Sequence, residues 1–230
     1  MRAYFEYMNV YSYNMGTGVE CFTAGQDSIL PYAVVQPHQT HSTVVAVVDR
    51  PDISRDELEG VDALVTNLSG VAIGVRTADC IPVLLYDPVH KAVGAAHSGW
   101  RGTVNKITTK TVLEMARRYK TRPSDLKAVI GPGIGFDSFQ VGEDVALIFK
   151  NSGFPVDNIW DFRGLRVDGS MEGGHHIDLK ECVRNSLIEC GVLSSNIEVS
   201  KVDTYTDKRF YSARREGKQT GRNINAIRLL

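Results

Sequence analysis

The sequence predicts an α+β fold, a single-domain layered sandwich of mixed β-sheets flanked by helices. Strand-like and helical segments interleave without a regular strand–helix–strand rhythm, which disfavours a doubly wound parallel sheet. No GxGxxG motif opens a strand–helix unit, which disfavours a dinucleotide-binding domain. The chain has 230 residues, of which 43% are hydrophobic and 23% charged, and this composition is typical of a globular protein with a sizeable core.

The first half of the chain is rich in short apolar or β-branched segments that are separated by turn residues. This pattern is typical of buried strands. The predicted strands cover residues 44–48, 62–66, 71–75, 82–86 and 92–96. These apolar runs are far shorter than a membrane-spanning segment, which indicates buried strands. We expect these neighbouring strands to form one extensive sheet system.

The clearest helical pattern covers residues 103–119, where apolar residues such as Ile107 and Met115 recur at helical spacing. One face of this helix is expected to pack on the sheet. A strand predicted over residues 126–130 then leads into the glycine-rich loop 131–135, which indicates close approach of the backbone to another group.

The last third of the chain contains two predicted helices and a final strand. A short helix is predicted over residues 143–149. Asp178 is a candidate N-cap for a helix that runs to about Cys190 and ends at Gly191. Apolar residues at alternating positions predict a strand over residues 223–229.

Charge and cysteine content limit the possible partners and the compartment. With 26 Lys and Arg against 27 Asp and Glu, the net charge of -1 provides no overall field for nucleic acid or an acidic membrane, so we expect small-molecule partners. Residues 1–7 have an early acidic residue and no apolar run, so no signal peptide is expected. The four cysteines form no CxxC pair, which indicates reduced thiols and a cytoplasmic protein.

Three side chains in strand-associated segments could form a metal site. Cys80 lies in a polar turn immediately before one predicted strand, His97 ends another, and His41 precedes a third. One thiolate and two imidazoles suit Zn²⁺, and three protein ligands leave a fourth position for water or substrate. The intervals between these residues match no local metal-binding signature, so a buried cysteine and structural histidines are the alternative. His38 could also replace His41.

Residues 98–102 join the strand that carries His97 to the predicted helix. Backbone N–H groups at a helix start can receive an anion, so phosphate could bind there near Ser98 and Arg101. Arg101 could equally pair with a nearby acidic side chain. The remaining histidines are expected to be exposed loop residues without a chemical role, namely His90, His175 and His176.

Five motifs occur in an order that resembles the bacterial polyphenol-oxidoreductase (laccase-like) purine nucleoside phosphorylase family, also named the peptidoglycan-editing factor family. The resemblance covers nearly the whole chain and implies one domain over residues 1–230. The motifs are Gln39-Thr40-His41-Ser42, Thr77-Ala78-Asp79-Cys80-Ile81-Pro82-Val83, His97-Ser98-Gly99-Trp100-Arg101-Gly102, Ile130-Gly131-Pro132-Gly133-Ile134-Gly135 and Phe210-Tyr211-Ser212-Ala213-Arg214-Arg215-Glu216-Gly217.

The resemblance implies a zinc-binding enzyme with purine nucleoside phosphorylase, adenosine deaminase and methylthioadenosine phosphorylase activities. Its metal ligands correspond to His41, Cys80 and His97, and Arg214 and Arg215 are further candidates for binding phosphate or substrate. In the mechanism that we expect, zinc polarises substrate or activates water for deamination of adenosine, and bound phosphate attacks the ribose in phosphorolysis.

The chain departs from the family pattern at two places, and its histidine content bears on the choice of metal. Asp137-Ser138 and Asp203 stand where relatives often carry cysteines, which weakens any role for those thiols. With only six histidines, the chain favours zinc over the copper of a polyphenol oxidase.

Cys80 activated by His97 could instead be the nucleophile of a peptidoglycan-editing hydrolase. A noncatalytic partner of the cell-wall or division machinery is the remaining alternative.

Overall fold

The computed structural model describes residues 9–163 and 174–230. The strands of these ranges are β1 (Val10–Ser12), β2 (Val19–Ala24), β3 (Val44–Val47), β4 (Val61–Thr66), β5 (Ala72–Thr77), β6 (Ile81–Asp87), β7 (Ala92–Ser98), β8 (Lys127–Ile130), β9 (Gln140–Val141), β10 (Trp160–Arg163), β11 (Gly174–Ile177), β12 (Ile197–Val199) and β13 (Asn223–Leu229). The helices are α1 (Trp100–Val104), α2 (Ile107–Tyr119), α3 (Glu143–Asn151), α4 (Val156–Ile159), α5 (Leu179–Glu189) and α6 (Ala213–Glu216). Residues 1–7, on which the expectation about a signal peptide was based, lie outside the described ranges.

The described strands form three sheets. The central sheet has six strands in the order β12-β8-β6-β7-β4-β3, and it is mixed because β3 runs parallel to β4 and β12 runs parallel to β8. A second sheet has four antiparallel strands in the order β1-β2-β13-β5. A small antiparallel sheet joins β10, β11 and β9.

The central sheet is buried on both faces, and side-chain alternation along β6 shows how. Val83 and Leu85 pack in the hydrophobic cluster that includes α2 and α5, whereas Leu84 and Tyr86 pack in the cluster that includes the four-stranded sheet. Successive side chains of a strand point to opposite faces, so a strand covered on both sides is largely apolar. The predicted layered α+β sandwich is therefore confirmed.

Most predicted elements agree with the structure to within two residues at either end. The final strand has the predicted bounds, Asn223–Leu229. The Asp178 side chain accepts the backbone N–H of Glu181 and caps α5, and Gly191 just beyond this helix has a φ of 95°. Within the described residues, no helix is long and apolar enough to cross a membrane.

The prediction of one continuous helix over residues 103–119 is wrong at its start. The chain forms α1 at Trp100–Val104 and α2 at Ile107–Tyr119, and Lys106 between them has a φ of 61°. Apolar residues on both sides of the break pack on the same cluster, so hydrophobic periodicity alone did not reveal the left-handed residue. Because α1 begins at Trp100, Arg101 lies in its first turn, three residues beyond the end of β7.

The expectation of exposed loop histidines is also wrong for the pair at 175–176. His175 and His176 lie on β11, and His176 is only 1% exposed, with its Nδ1 atom 3.2 Å from the carbonyl oxygen of Phe136. His90 does lie in a turn, where its Nδ1 atom is 2.9 Å from a carboxylate oxygen of Asp87. Alternation in so short a strand gives too little signal for prediction.

Candidate metal centre

The side chains of His41, Cys80 and His97 converge, with one ligand atom from each lying within 4.8 Å of the others. Cys80 lies in the turn before β6, and β6 pairs with β7 so that Pro82 is opposite His97. This antiparallel register places the thiol beside the His97 imidazole. The His41 Nε2 atom, from the loop before β3, lies 3.7 Å from the Cys80 sulfur.

A buried carboxylate that we did not identify from the sequence organises these ligands. Asp62 on β4 is fully buried, and its Oδ1 atom lies 2.7 Å from the Nδ1 atom of His97. Its two oxygens also accept the backbone N–H groups of Thr40, His41 and Ser42, at 3.0, 3.1 and 2.9 Å. Because Nδ1 of His97 is directed to Asp62, Nε2 is left for a metal, an arrangement typical of metal-binding histidines.

The same hydrogen bonds hold His41 in an unusual backbone conformation. His41 has a φ of 62°, in the left-handed region that residues other than glycine rarely adopt. The Asp62 carboxylate accepts the backbone N–H groups of His41 and of the residues before and after it. These hydrogen bonds stabilise the turn and direct the His41 imidazole towards Cys80. The signal available in the sequence was an acidic residue within an otherwise apolar predicted strand, since a buried charge requires partners.

The ionisation of Cys80, His97 and Asp62 is strongly coupled. Burial raises the pKa of the Cys80 thiol, but the charge of His97 and a hydrogen bond from His41 outweigh burial and lower it overall. Burial lowers the pKa of His97, but the Cys80 thiolate and Asp62 outweigh burial and raise it. Burial likewise raises the pKa of Asp62, and hydrogen bonds from His97 and the backbone bring it below its usual value. These neighbours therefore favour the thiolate, the form of cysteine that binds metals.

The glycine-rich loop 131–135 supports the turn that carries Cys80. The backbone N–H of Ile134 donates to the carbonyl oxygen of Asp79 at 2.8 Å. A Cβ atom on Gly133 would lie 3.0 Å from that oxygen and 3.2 Å from the carbonyl oxygen of Cys80. The close backbone approach that the sequence indicated is therefore made to the Cys80 turn.

Asp79 connects the same turn to the C-terminal part of the chain. It has a φ of 84°, and its carboxylate accepts the Thr204 hydroxyl at 2.7 Å and the backbone N–H of Arg214 at 2.6 Å. These contacts bring residues of the fifth sequence motif next to Cys80.

Gly99 leaves space for the ligand side chains. A Cβ atom at this position would lie 2.8 Å from Cδ2 of His41 and 3.0 Å from the sulfur of Cys80. The φ of Gly99 is -69°, which any residue adopts, so only these contacts require glycine. Both contacting atoms belong to candidate ligands, so an added methyl group would separate them.

We therefore expect Gly99→Ala to lower metal affinity by roughly tenfold, the scale seen when groups that orient metal ligands are disturbed. Metal content after dialysis against a competing chelator measures this effect. Gly102→Ala is the matched control, because its methyl group would contact no ligand side chain: it would lie 3.2 Å from Cγ2 of Ile107 and 3.4 Å from the backbone carbonyl oxygen of His97. Equal metal affinity in the two variants would contradict this account of Gly99.

Two cavities share Cys80 in their walls. The first, which we call the basic cleft, has a volume of about 700 Å³ and is lined by His41, Cys80 and His97. It is also lined by the cationic residues Arg55, Arg76, Arg101, Lys218 and Arg222. Of these cations, only Arg101 was singled out in the sequence, because the others lie outside the recognised motifs.

The second cavity, which we call the apolar pocket, has a volume of about 320 Å³. Its lining includes Trp100, Ile134, Phe139 and Leu179, and Cys80 lies in its wall as well as in that of the basic cleft. A ligand at the metal centre therefore has a cationic region on one side and an aromatic, apolar region on the other.

Of the two predicted phosphate-binding residues near the start of α1, only one has a side chain that reaches the basic cleft. Arg101 lines the basic cleft, with its guanidinium 4.2 Å above the Trp100 ring. Ser98 is buried, and its hydroxyl lies 2.8 Å from the Thr103 hydroxyl. The structure thus brings Arg101, but not the Ser98 side chain, to the lining of the cleft.

The two arginines of the fifth motif donate most of their guanidinium hydrogen bonds to acceptors within the protein. The Arg214 guanidinium donates to the carbonyl oxygens of Ser138 and Gln140, at 3.2 and 3.0 Å, and lies at the apolar pocket. The guanidinium donors of Arg215 go to Glu216 and to the carbonyl oxygens of Thr204, Tyr205 and Phe210. This bonding makes Arg215 a structural residue in the geometry seen here.

His38 and the two family departures lie outside the ligand cluster. His38 pairs through Nδ1 with the Glu59 carboxylate and is not one of the three converging ligands. The Ser138 hydroxyl donates to Asp203 at 2.5 Å, and the backbone N–H of Gly135 donates to the same carboxylate at 2.9 Å. The two departures thus contact each other through a hydrogen bond.

Comparison with known proteins agrees with the resemblance seen in the motifs. The family of multi-copper polyphenol oxidoreductase laccases matches residues 23–230. A purine nucleoside phosphorylase from Bacteroides thetaiotaomicron is 39% identical over 207 residues, which are 87% of this chain and 74% of that protein. Adenosine deaminase RL5, from an unknown prokaryotic organism, is 41% identical over 201 residues, which are 84% of this chain and 74% of that protein.

Solved structures share the fold. The crystal structure of YlmD from Geobacillus stearothermophilus has a TM-score of 0.78 at 25% identity, and the match covers 94% of each chain. The structure of YfiH from Bacillus licheniformis has a TM-score of 0.77 at 33% identity, covering 86% of this chain and 74% of that one. Since sequence motifs, whole-chain similarity and fold all agree, this chain belongs to the multi-copper polyphenol oxidoreductase laccase family.

Proposed function

We propose that the chain is a zinc-dependent purine nucleoside phosphorylase that also has adenosine deaminase and methylthioadenosine phosphorylase activity. The observation that carries this proposal is that His41, Cys80 and His97 converge at the basic cleft, with Cys80 also lining the apolar pocket. Relatives that are named purine nucleoside phosphorylase and adenosine deaminase support it. The four free cysteines support a reducing, cytoplasmic location.

The donor set suits zinc. Zinc accepts thiolate and imidazole in a tetrahedral arrangement, in which ligand atoms lie about 3.5 Å apart. The three candidate atoms lie within 4.8 Å of one another, so small side-chain movements complete the site. Within the described residues they form the one cluster of this kind, whereas a multicopper oxidase needs several metal sites. We therefore rank zinc above copper.

The two cavities suit the two parts of the proposed reaction. The flat rings of Trp100 and Phe139 in the apolar pocket suit a purine base, and cations in the basic cleft suit phosphate. Zinc bound by the three ligands would polarise a substrate atom or activate water for removal of the adenosine amino group. In phosphorolysis, a phosphate oxygen forms the new bond to ribose C1′ while the bond to the purine nitrogen breaks.

One observation favours a second candidate, a hydrolase with Cys80 as nucleophile. The lowered pKa of the Cys80 thiol and its position beside His41 and His97 are typical of an activated cysteine. In such an enzyme a metal on the thiolate would inhibit, and alkylation of the thiol would abolish turnover.

Product analysis tests the proposed function. We expect purified zinc-loaded protein to convert inosine, adenosine and methylthioadenosine to free base and a sugar 1-phosphate only when phosphate is present. We also expect conversion of adenosine to inosine without phosphate. Chromatography identifies both sets of products. Removal of zinc by a chelator should abolish both reactions, and added zinc should restore them.

Two outcomes would reject the proposal. The first is the absence of these products from fully zinc-loaded protein. The second is hydrolytic activity that increases after chelation and disappears after thiol alkylation, which would favour the Cys80 nucleophile instead.

A further inference from the structure

The basic cleft contains more positive charge than the protein itself balances. Several arginines elsewhere in the chain pair with a carboxylate, namely Arg50, Arg117, Arg122, Arg184, Arg209 and Arg228. Among the residues that the structure describes, none of the five cations of the basic cleft has such a partner. An uncompensated group of cations in a cavity attracts anions.

Arg76 is the most constrained of these cations. It lies on β5, where the Gln39 side chain accepts its backbone N–H and donates to its carbonyl oxygen, each at 2.8 Å. Its Nε atom is buried and has no hydrogen-bond partner within the described part of the chain. A buried donor without an acceptor is unfavourable, and an anion bound beside Arg76 would supply that acceptor.

Like charges surround Arg76. Burial lowers the pKa of its guanidinium, and the positive charges of Arg55 and Arg222 lower it further. Arg222 approaches from the segment before β13, with its guanidinium donating to backbone carbonyls of its own loop, including that of Lys218 at 3.0 Å. An anion between or beside these three cations would offset their mutual repulsion.

We propose that Arg76, assisted by Arg55 and Arg222, forms an oxyanion site that binds a phosphate group in the basic cleft. Guanidinium groups match phosphate oxygens with paired, charge-assisted hydrogen bonds. The same cleft is lined by the three candidate metal ligands, so the bound phosphate shares the cavity with the reacting centre. Its residues differ from Ser98 and Arg101, which the sequence suggested, and Arg101 lines the same cleft.

The phosphate group has two possible sources, inorganic phosphate and the phosphate ester of a nucleotide. The proposal deepens the phosphorylase assignment, because that assignment requires a phosphate site. Its test measures binding and not turnover, so its failure and the failure of the proposed activity are distinguishable.

Calorimetric titration of the zinc-loaded protein with inorganic phosphate, AMP and adenosine tests the proposal. We expect Arg76→Gln and Arg222→Gln each to weaken phosphate binding by roughly tenfold to a hundredfold, with zinc content and circular dichroism unchanged. Arg117→Gln, on the exposed face of α2, is the matched control and should bind as the wild type does. Adenosine binding should change little in any of these variants.

The AMP titration identifies the source of the phosphate group. If AMP binds more tightly than phosphate and loses the same factor in Arg76→Gln, the site takes a phosphate ester. If phosphate binds and AMP does not, the site takes inorganic phosphate. Wild-type protein that binds neither, or correctly folded Arg76→Gln and Arg222→Gln variants that bind both as the wild type does, would overturn the proposal.

Discussion

Replacing Cys80 with serine is expected to remove zinc and, as a consequence, nucleoside turnover. A serine hydroxyl is a harder and far less acidic ligand than a thiolate, so two imidazoles would be left to hold the ion. We expect zinc affinity to fall by about a hundredfold or more, beyond the loss caused by disturbing groups that only orient ligands. Zinc content and turnover must be measured on the same preparation.

Cys190→Ser is the matched control for this variant. Cys190 is half-buried at the C-terminal end of α5, away from the metal centre, so its replacement should leave zinc content and turnover unchanged. A Cys80→Ser protein that retains full zinc yet is inactive would favour the nucleophile hypothesis. Trapping of a covalent adduct on the wild-type Cys80 thiol would support that alternative directly.

Replacing Asp62 with asparagine is expected to weaken the metal site and the fold together. The amide nitrogen cannot accept the hydrogen bonds that the carboxylate receives, so either the turn at His41 or the orientation of His97 is lost. We expect metal affinity to fall by roughly 10- to 100-fold. The free energy of unfolding should fall by about 3 kcal/mol, because hydrogen bonds to a buried charge are lost.

The effect of Asp62 should also depend on pH. Because the fold lowers the carboxyl pKa of Asp62, its stabilisation is complete above its unfolded pKa of about 4 and is lost as pH falls through the lower folded value. The stability difference between wild type and Asp62→Asn should therefore be largest near neutral pH and shrink in acid. Denaturant unfolding at several pH values measures it.

Asp87→Asn separates the two effects of the Asp62 substitution. Asp87 is also fully buried, with a lowered carboxyl pKa, and it accepts hydrogen bonds from the backbone of Val89 and His90. It is not one of the residues that line the basic cleft or the apolar pocket. Its replacement should destabilise the fold without lowering metal affinity. Equal loss of metal in both variants would mean that Asp62 acts only through general stability.

Local patterns explain why much of the fold could be predicted. The strands of the central sheet are apolar runs between turn residues, and in the final strand Asn223–Leu229 apolar and polar residues alternate. Each of these patterns is complete within a few residues, so the sequence reveals it directly. The break at Lys106 was missed because the spacing of apolar side chains does not reveal a residue with a left-handed backbone conformation. The short strand that holds His176 was missed because four residues, Gly174–Ile177, are too few to show a period.

The sequence by itself determined the family, the layered α+β class and the chemical types of the candidate ligands, because these depend on residue identity and order. Only the tertiary structure decided that Asp62 organises His41 and His97, and that Arg55, Arg76 and Arg222 share one cleft. The physical reason is that the roles of these residues arise from burial and from neighbours distant in the chain. A carboxylate or guanidinium on the surface is solvated and inert, whereas the same group enclosed by the fold must find a partner.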